Sequence, residues 1–331
     1  MAAALERASA ATGRLDARIC ATSVAAPWTR RAAWSGYARA LPLQGFELEE
    51  IDVFSWGCTL PLPGRPRPTT VEDPFAQFAP WQAEFAGNRR RHWREGLGAL
   101  ASPLPSYQGP QLLRLLEALR EIARHEPTIH AWLALPLILQ RAGVTRSLLP
   151  CLVVGDRHLR SNQAPEEVVV RLLDALTKAA RSGLERAEAL ERDRTRASRV
   201  IAASRRPGAL LALLARVQLT PLCGPPAIAG ELGLTLAGAG RLLARAASHG
   251  LLREVSGRQS WRLYLPPDLA VVFGFVAPPR GRPRSEPPPL PSPPPPQRDL
   301  SEVFAEFDRE MAEVISRVPA LAIVQDEDRL Q

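Results

Sequence analysis

Four arginines have the type and spacing for phosphate chemistry. Arg241 and Arg245 lie one helical turn apart, and Arg258 and Arg262 sit on and just beyond a Ser256-Gly257 turn. A guanidinium stays charged at all physiological pH and offers a fork of donors that matches phosphate oxygens, so such a set binds anions rather than moving protons. Residues 199–265 hold nine arginines (Arg199, Arg205, Arg206, Arg216, Arg241, Arg245, Arg253, Arg258 and Arg262) and two acids, Glu231 and Glu254. Their net charge of +7 nearly matches the +8 of the whole chain. Residues 298–331 are the opposite, with nine acids and four arginines, near −5. A basic module of this size is the footprint of a nucleic-acid backbone, since each arginine that neutralises a phosphate releases counterions and makes affinity salt-dependent.

Other chemistries are excluded by spacing. His125-Glu126 is followed by His130, one residue too late for HExxH, and Pro127 breaks the helix that would present the pair. There is no GxSxG, and His92, His158 and His249 stand apart from any nucleophile pattern. Among 42 basic residues the one lysine, Lys178, lies in a helical run without a preceding glycine turn, so no phosphate-binding P-loop forms. Cys20, Cys58, Cys151 and Cys223 lack metal-ligand spacing and read as buried thiols. No metal, cofactor or catalytic residue is expected. No apolar run reaches the roughly 18 residues of a membrane span. Glu6, Arg7, Arg14 and Asp16 break up any secretory signal, so a cytoplasmic location is expected.

The elements that must position the arginines follow from the pattern around them. Residues 209–217 make one helix, and residues 226–232 make a second, which ends at Gly233. Thr235 caps a third, whose inward positions are Leu236, Ala239, Leu242, Leu243 and Ala246, closed by Gly250. Runs 251–255 and 261–265 flank the turn Ser256-Gly257-Arg258-Gln259 and read as a hairpin. Helix, helix, turn, helix and hairpin is the order of a winged helix-turn-helix, with Arg241 and Arg245 on its third helix and Arg258 and Arg262 on its wing. Gly238 and Gly240 weaken that helix by roughly 1 kcal/mol each relative to alanine, and leave few groups to read bases. Affinity for duplex DNA is better supported than sequence specificity.

The rest of the chain is helix and loop. Residues 1–60 form an N-terminal helical segment with helices at 5–19 and 27–40, and 61–110 form a Pro-rich and aromatic region. Phe75, Phe78, Trp81, Phe85 and Trp93 are spaced as packing residues rather than as a base-stacking platform. Residues 111–203 form a helical body, with an amphipathic helix at 111–125 carrying Leu112, Leu113, Leu115, Leu116, Leu119 and Ile122. A single helix follows at 129–142, and a long one at 165–203. The winged unit occupies 204–276. A linker at 277–297 is rich in proline, and 298–331 is an acidic amphipathic tail with an apolar stripe at Val303, Phe304, Phe307, Met311, Val314 and Ile315.

Two stretches carry a resemblance. Residues 189–266, with the run Gly250-Leu251-Leu252-Arg253-Glu254-Val255-Ser256-Gly257-Arg258, and residues 13–54 resemble bacterial Fic-domain proteins with a C-terminal winged helix, and related uncharacterised helix-turn-helix proteins. Fic enzymes transfer AMP to protein hydroxyls through an HPFx(D/E)GNGRxxR loop. The resemblance places that loop at 121–132, where the chain reads EIARHEPTIHAW, without the His-Pro-Phe start, the glycines of the anion nest or the arginine pair. The family's inhibitory (S/T)xxxE(G/N) motif would fall on 40–45, where Ala40 and Gln44 replace the hydroxyl residue and the glutamate.

The resulting expectation is a mainly α protein: a catalytically inactive, Fic-like helical body, a winged helix-turn-helix, a Pro-rich linker and a helical tail. It would bind double-stranded DNA through Thr235, Arg241, Arg245, Arg258 and Arg262, as a transcriptional regulator and a possible homodimer. The alternatives are a protein–protein adaptor working through the winged helix and acidic tail, and a divergent AMP-transferase. The tail, on its tether, could also compete with DNA for the basic face.

Overall fold

The computed structural model describes residues 1–62, 65, 73–85, 109–125, 129–155, 165–205, 207–257, 262–277, 305–306, 308–310 and 312–313. Among them are twelve α-helices and two short strands, a mainly α protein. None of those helices is by itself long and apolar enough to cross a membrane. Met1–Pro278 forms one compact unit and Pro279–Gln331 a second. In the second unit the described residues are helical and exposed, and the predicted apolar stripe at Val303, Phe304, Phe307, Met311, Val314 and Ile315 lies outside the described residues.

Helix α1 (Ala2–Ala21) lies along α8 (Pro165–Ala203), whose 39 residues span about 58 Å. Small residues Ala4, Ala8 and Ala11 on the buried face of α1 permit this close run. Helix α2 (Ala25–Ala40) packs against α8 and touches α3 (Glu50–Gly57), α6 (Ile129–Leu133) and the 3-10 turn Pro150–Leu152. Gly36 explains how closely that turn approaches: a Cβ there would stand 2.1 Å from the Pro150 carbonyl oxygen. Trp34, Tyr37 and Phe54 fill the centre, and the Trp34 and Phe54 rings meet edge to face at 5.0 Å. The predicted aromatic region behaves as packing: Phe75, Phe78 and Trp81 are buried, with α4 (Phe78–Phe85) held by Trp81 Nε1 donating to the Leu133 carbonyl at 2.8 Å. Trp93 lies outside the described residues.

Helix α5 (Gln111–His125) follows its predicted bounds. The single helix expected at 129–142 is instead two, α6 and α7 (Leu135–Arg141), because Pro136 has no N–H to give to the carbonyl four residues back. Residues 121–125 and 129–132, where the Fic loop would fall, are helical. Cys58, Cys151 and Cys223 are buried as expected, and burial raises their thiols to about 11, about 11 and about 12. Cys20 departs from the expectation: it is exposed at the end of α1, with Sγ 3.1 Å from Ser147 Oγ.

A second core forms from α9 (Leu210–Leu219), α10 (Pro225–Leu232), α11 (Leu236–Ser248) and the strands β1 (Arg253–Glu254) and β2 (Tyr264–Leu265). Leu210, Leu213, Leu214, Ile228, Ala239, Leu243, Ala246 and Tyr264 fill it. Ala197, Val200 and Ile201 from the end of α8 pack there too, so one helix passes from the first core into the second. After β2, α12 (Pro267–Val272) returns to the first core through Leu269 and Ala270.

Candidate nucleic-acid interface

The basic residues are placed by local geometry that can be traced residue by residue. Pro225, at the first position of α10, needs no N–H partner there. Gly233 ends α10 in the left-handed region, φ 62°, which a residue with a Cβ occupies at a cost. The Leu234 N–H bonds back to the Ala229 carbonyl at 2.9 Å, and Thr235 Oγ1 accepts from the Gly238 N–H at 3.1 Å to start α11. Within three residues, Gly233 to Thr235, the chain direction turns by 110°.

β1 pairs antiparallel with β2, Arg253 opposite Leu265 and Glu254 opposite Tyr264, and the ladder continues as Val255 N–H donates to Leu263 at 2.8 Å. It is shorter than the predicted runs. Cys223, between α9 and α10, extends the sheet by exchanging bonds with Tyr264 at 3.1 and 2.9 Å. The hairpin is therefore tied to the segment before α10. At its turn Glu254 Oε1 accepts from the N–H groups of Ser256 and Gly257 at 2.9 and 3.0 Å, and Gly257 has φ 60°.

The predicted site residues fall as follows. Arg241 and Arg262 are exposed, Arg245 is half-buried at the margin, and Thr235 is exposed with its hydroxyl oxygen accepting the cap bond. Arg258 lies outside the described residues. Besides Leu236, the exposed positions of α11 are Ala237, Arg241, Ala244 and Ser248, one stripe opposite Ala239, Leu243 and Ala246. Leu236 was expected inside, and it is 60% exposed. It is the first residue of the helix, and a Cβ there tilts toward the open N-terminal end, past the edge of the core. Arg216, counted in the basic excess, is spent on an ion pair with Glu231 that ties α9 to α10.

What sequence reasoning missed is how the unit is seated. Arg31 on α2 is buried; its Nε and Nη2 donate to the carbonyls of Gln218 and Val217, both at 3.0 Å, at the end of α9. Its Nη1 lies 3.6 Å from Asp268 on α12. Burial lowers the pKa of Arg31, with Asp268 and Asp193 opposing that. Asp193, on α8, has its carboxyl raised to about 7 by burial and by Asp268 beside it. Asp193 Oδ2 and Asp268 Oδ1 are both shut away without a hydrogen-bond donor, a deficit that one proton held between the carboxyls removes. Cavities of about 20 and 30 Å³ flank Arg31, each the size of a water molecule rather than a ligand. No spacing signal in the sequence distinguishes Arg31 from its neighbour Arg30.

Among the described residues no group of three His, Cys, Asp or Glu side chains could hold a metal ion. No family model and no curated protein matches this chain.

Proposed function

We propose that the chain is a DNA-binding protein, a transcriptional regulator in which α9, α10, α11 and the hairpin act as a winged helix-turn-helix. A helical, Fic-like scaffold without transferase chemistry would carry this module. The observation that carries the reading is the 110° turn between α10 and α11, with Arg241 on the outward stripe of the second helix. That geometry suits α11 to the major groove while α10 crosses the backbone. Arg253 and Arg262, exposed on the hairpin, suit phosphate contact beside it.

Binding of the full chain to random-sequence duplex DNA across a salt series tests this. Each phosphate contact contributes a slope of about 0.9 in log K against log salt, so Arg241→Ala, Arg258→Ala and Arg262→Ala together flatten the slope by about 2–3. A chain that binds no duplex at low salt, or a variant with an unchanged slope, overturns the proposal. An adaptor role is favoured by a different observation: Leu211 and Leu219 on α9 are 61% and 40% exposed, with Ala212 and Ala215 exposed beside them. Absence of DNA binding would transfer the function to that apolar face.

A further inference from the structure

The first turns of α11 present a surface with an unusual chemical limit. Leu236 is 60% exposed, whereas Leu243 on the same helix is buried. Ala237, Arg241 and Ala244 are exposed after it, and the Thr235 oxygen accepts the cap bond from Gly238. From Leu236 to Ala244 the outward side chain with hydrogen-bonding capacity is the Arg241 guanidinium, and just before them Thr235 keeps its O–H as a donor. Gly240 adds a second feature. A Cβ built there meets nothing within 4 Å, so packing does not require this glycine, although it costs about 1 kcal/mol of helix stability. What its bareness provides is a flat face on which the helix backbone can come close to another surface.

Major-groove edges display hydrogen-bond donors and acceptors and, on thymine alone, a C5-methyl group. Side chains without polar atoms can distinguish bases there only through that methyl. We propose that Leu236, with Ala237 beside it, reads thymine methyl groups, so that this chain selects A·T pairs where the start of α11 enters the groove. Arg241, one turn further on, then lies over the phosphates or a guanine edge. The positive charge of the surrounding unit commits the face to a polyanionic occupant rather than to an apolar protein. This inference rests on the DNA-binding reading and adds to it the base that is recognised.

Sites enriched by the full chain from a random duplex pool would be synthesised twice, with thymidine and with deoxyuridine, which differ in the methyl group alone. Loss of one apolar carbon contact is worth about four-fold in affinity, so the uracil duplex binds about four-fold more weakly per contacted thymine. Leu236→Ala binds both duplexes within two-fold of each other, and its exposed position leaves the fold intact. Equal binding of the two duplexes by the wild-type chain, with the salt dependence retained, overturns the thymine reading and leaves DNA binding standing. Absence of duplex binding at every salt concentration overturns both.

Discussion

In the helical body Arg31, Arg39 and Arg186 turn inward, while in the α9–α11 unit Arg241, Arg253 and Arg262 turn outward. The inward set is fully engaged: Arg31 holds two carbonyls, Arg39 donates to the Cys151 carbonyl at 2.6 Å, and Arg186 forks onto Glu50, with Nη2 at 2.8 Å from Oε2. Burial opposes the Glu50 charge, yet Arg186 and Ser35 bring its carboxyl below the ordinary range. The outward set is left in solvent. A guanidinium removed from water is held by what it ties together, whereas one left in water is available to a partner. Arginine abundance alone therefore says nothing of a partner, and exposure alone does not either, since Arg14, Arg30 and Arg181 on the helical body are exposed as well.

The sharpest way to break this comparison is Arg31→Met. It strands the Val217 and Gln218 carbonyls and leaves Asp268 facing Asp193 without its cation. Breaking a buried pair on one side costs roughly 3–5 kcal/mol, read by urea unfolding. A loss below about 1 kcal/mol would show that the inward set does not hold the two cores together.

The same joint gives a pH dependence. An unfolded aspartate titrates near 3.9, and Asp193 in the folded chain titrates at about 7. Between those values the folded chain keeps a proton the unfolded chain has released, so stability falls as pH rises from about 4 to about 7 and is then level. The slope reaches at most about 1.4 kcal/mol per pH unit. In Asp193→Asn the amide donates permanently to Asp268, so the difference from wild type is small at pH 5 and favours the variant at pH 8. A wild-type-minus-variant difference that stays flat over this range would remove the shared proton.

Gly36 and Gly240 differ as Arg31 and Arg241 do, one closed in and the other facing open space. Gly36→Ala drives a Cβ onto the Pro150 backbone and is expected to cost about 1–3 kcal/mol in thermal unfolding, since neither element can yield easily. Gly240→Ala meets open space and gains up to about 1 kcal/mol from helix propensity. If both variants moved stability in the same direction, the contrast between these two positions would fail.

Much of the fold was legible because it is written in short-range pattern. The bounds of α5 and α8, the Thr235 cap and the Gly233 turn all follow from periodicity and end signals within a few residues. Leu236 misled because its i, i+3 spacing to Ala239 fits the inner face, and only the edge of the core decides that the first turn overhangs it. Arg31 was illegible for a deeper reason. Its partners on α9 and α12 lie more than 180 residues away, and no local pattern encodes such a meeting. The Arg216–Glu231 pair, 15 residues apart across the α9–α10 bend, was hidden likewise inside a favourable count of charges.

The smallest expected effect on stability is also the one that separates the two sets of arginines most directly. Arg241→Ala with Arg262→Ala removes two exposed guanidinium groups, for which surface substitution moves unfolding free energy by no more than about 0.5 kcal/mol. Alanine at 241 even improves intrinsic helix propensity slightly, so any loss should be hard to detect. Duplex affinity at low salt should nonetheless fall, with the salt slope reduced by about 1.8 if both side chains meet phosphates. A double variant that unfolds several kcal/mol more easily would mean these arginines are structural like Arg31, and the outward set would lose its claim to a partner. An unchanged fold with weakened binding would place the two uses of one residue type in different parts of one chain.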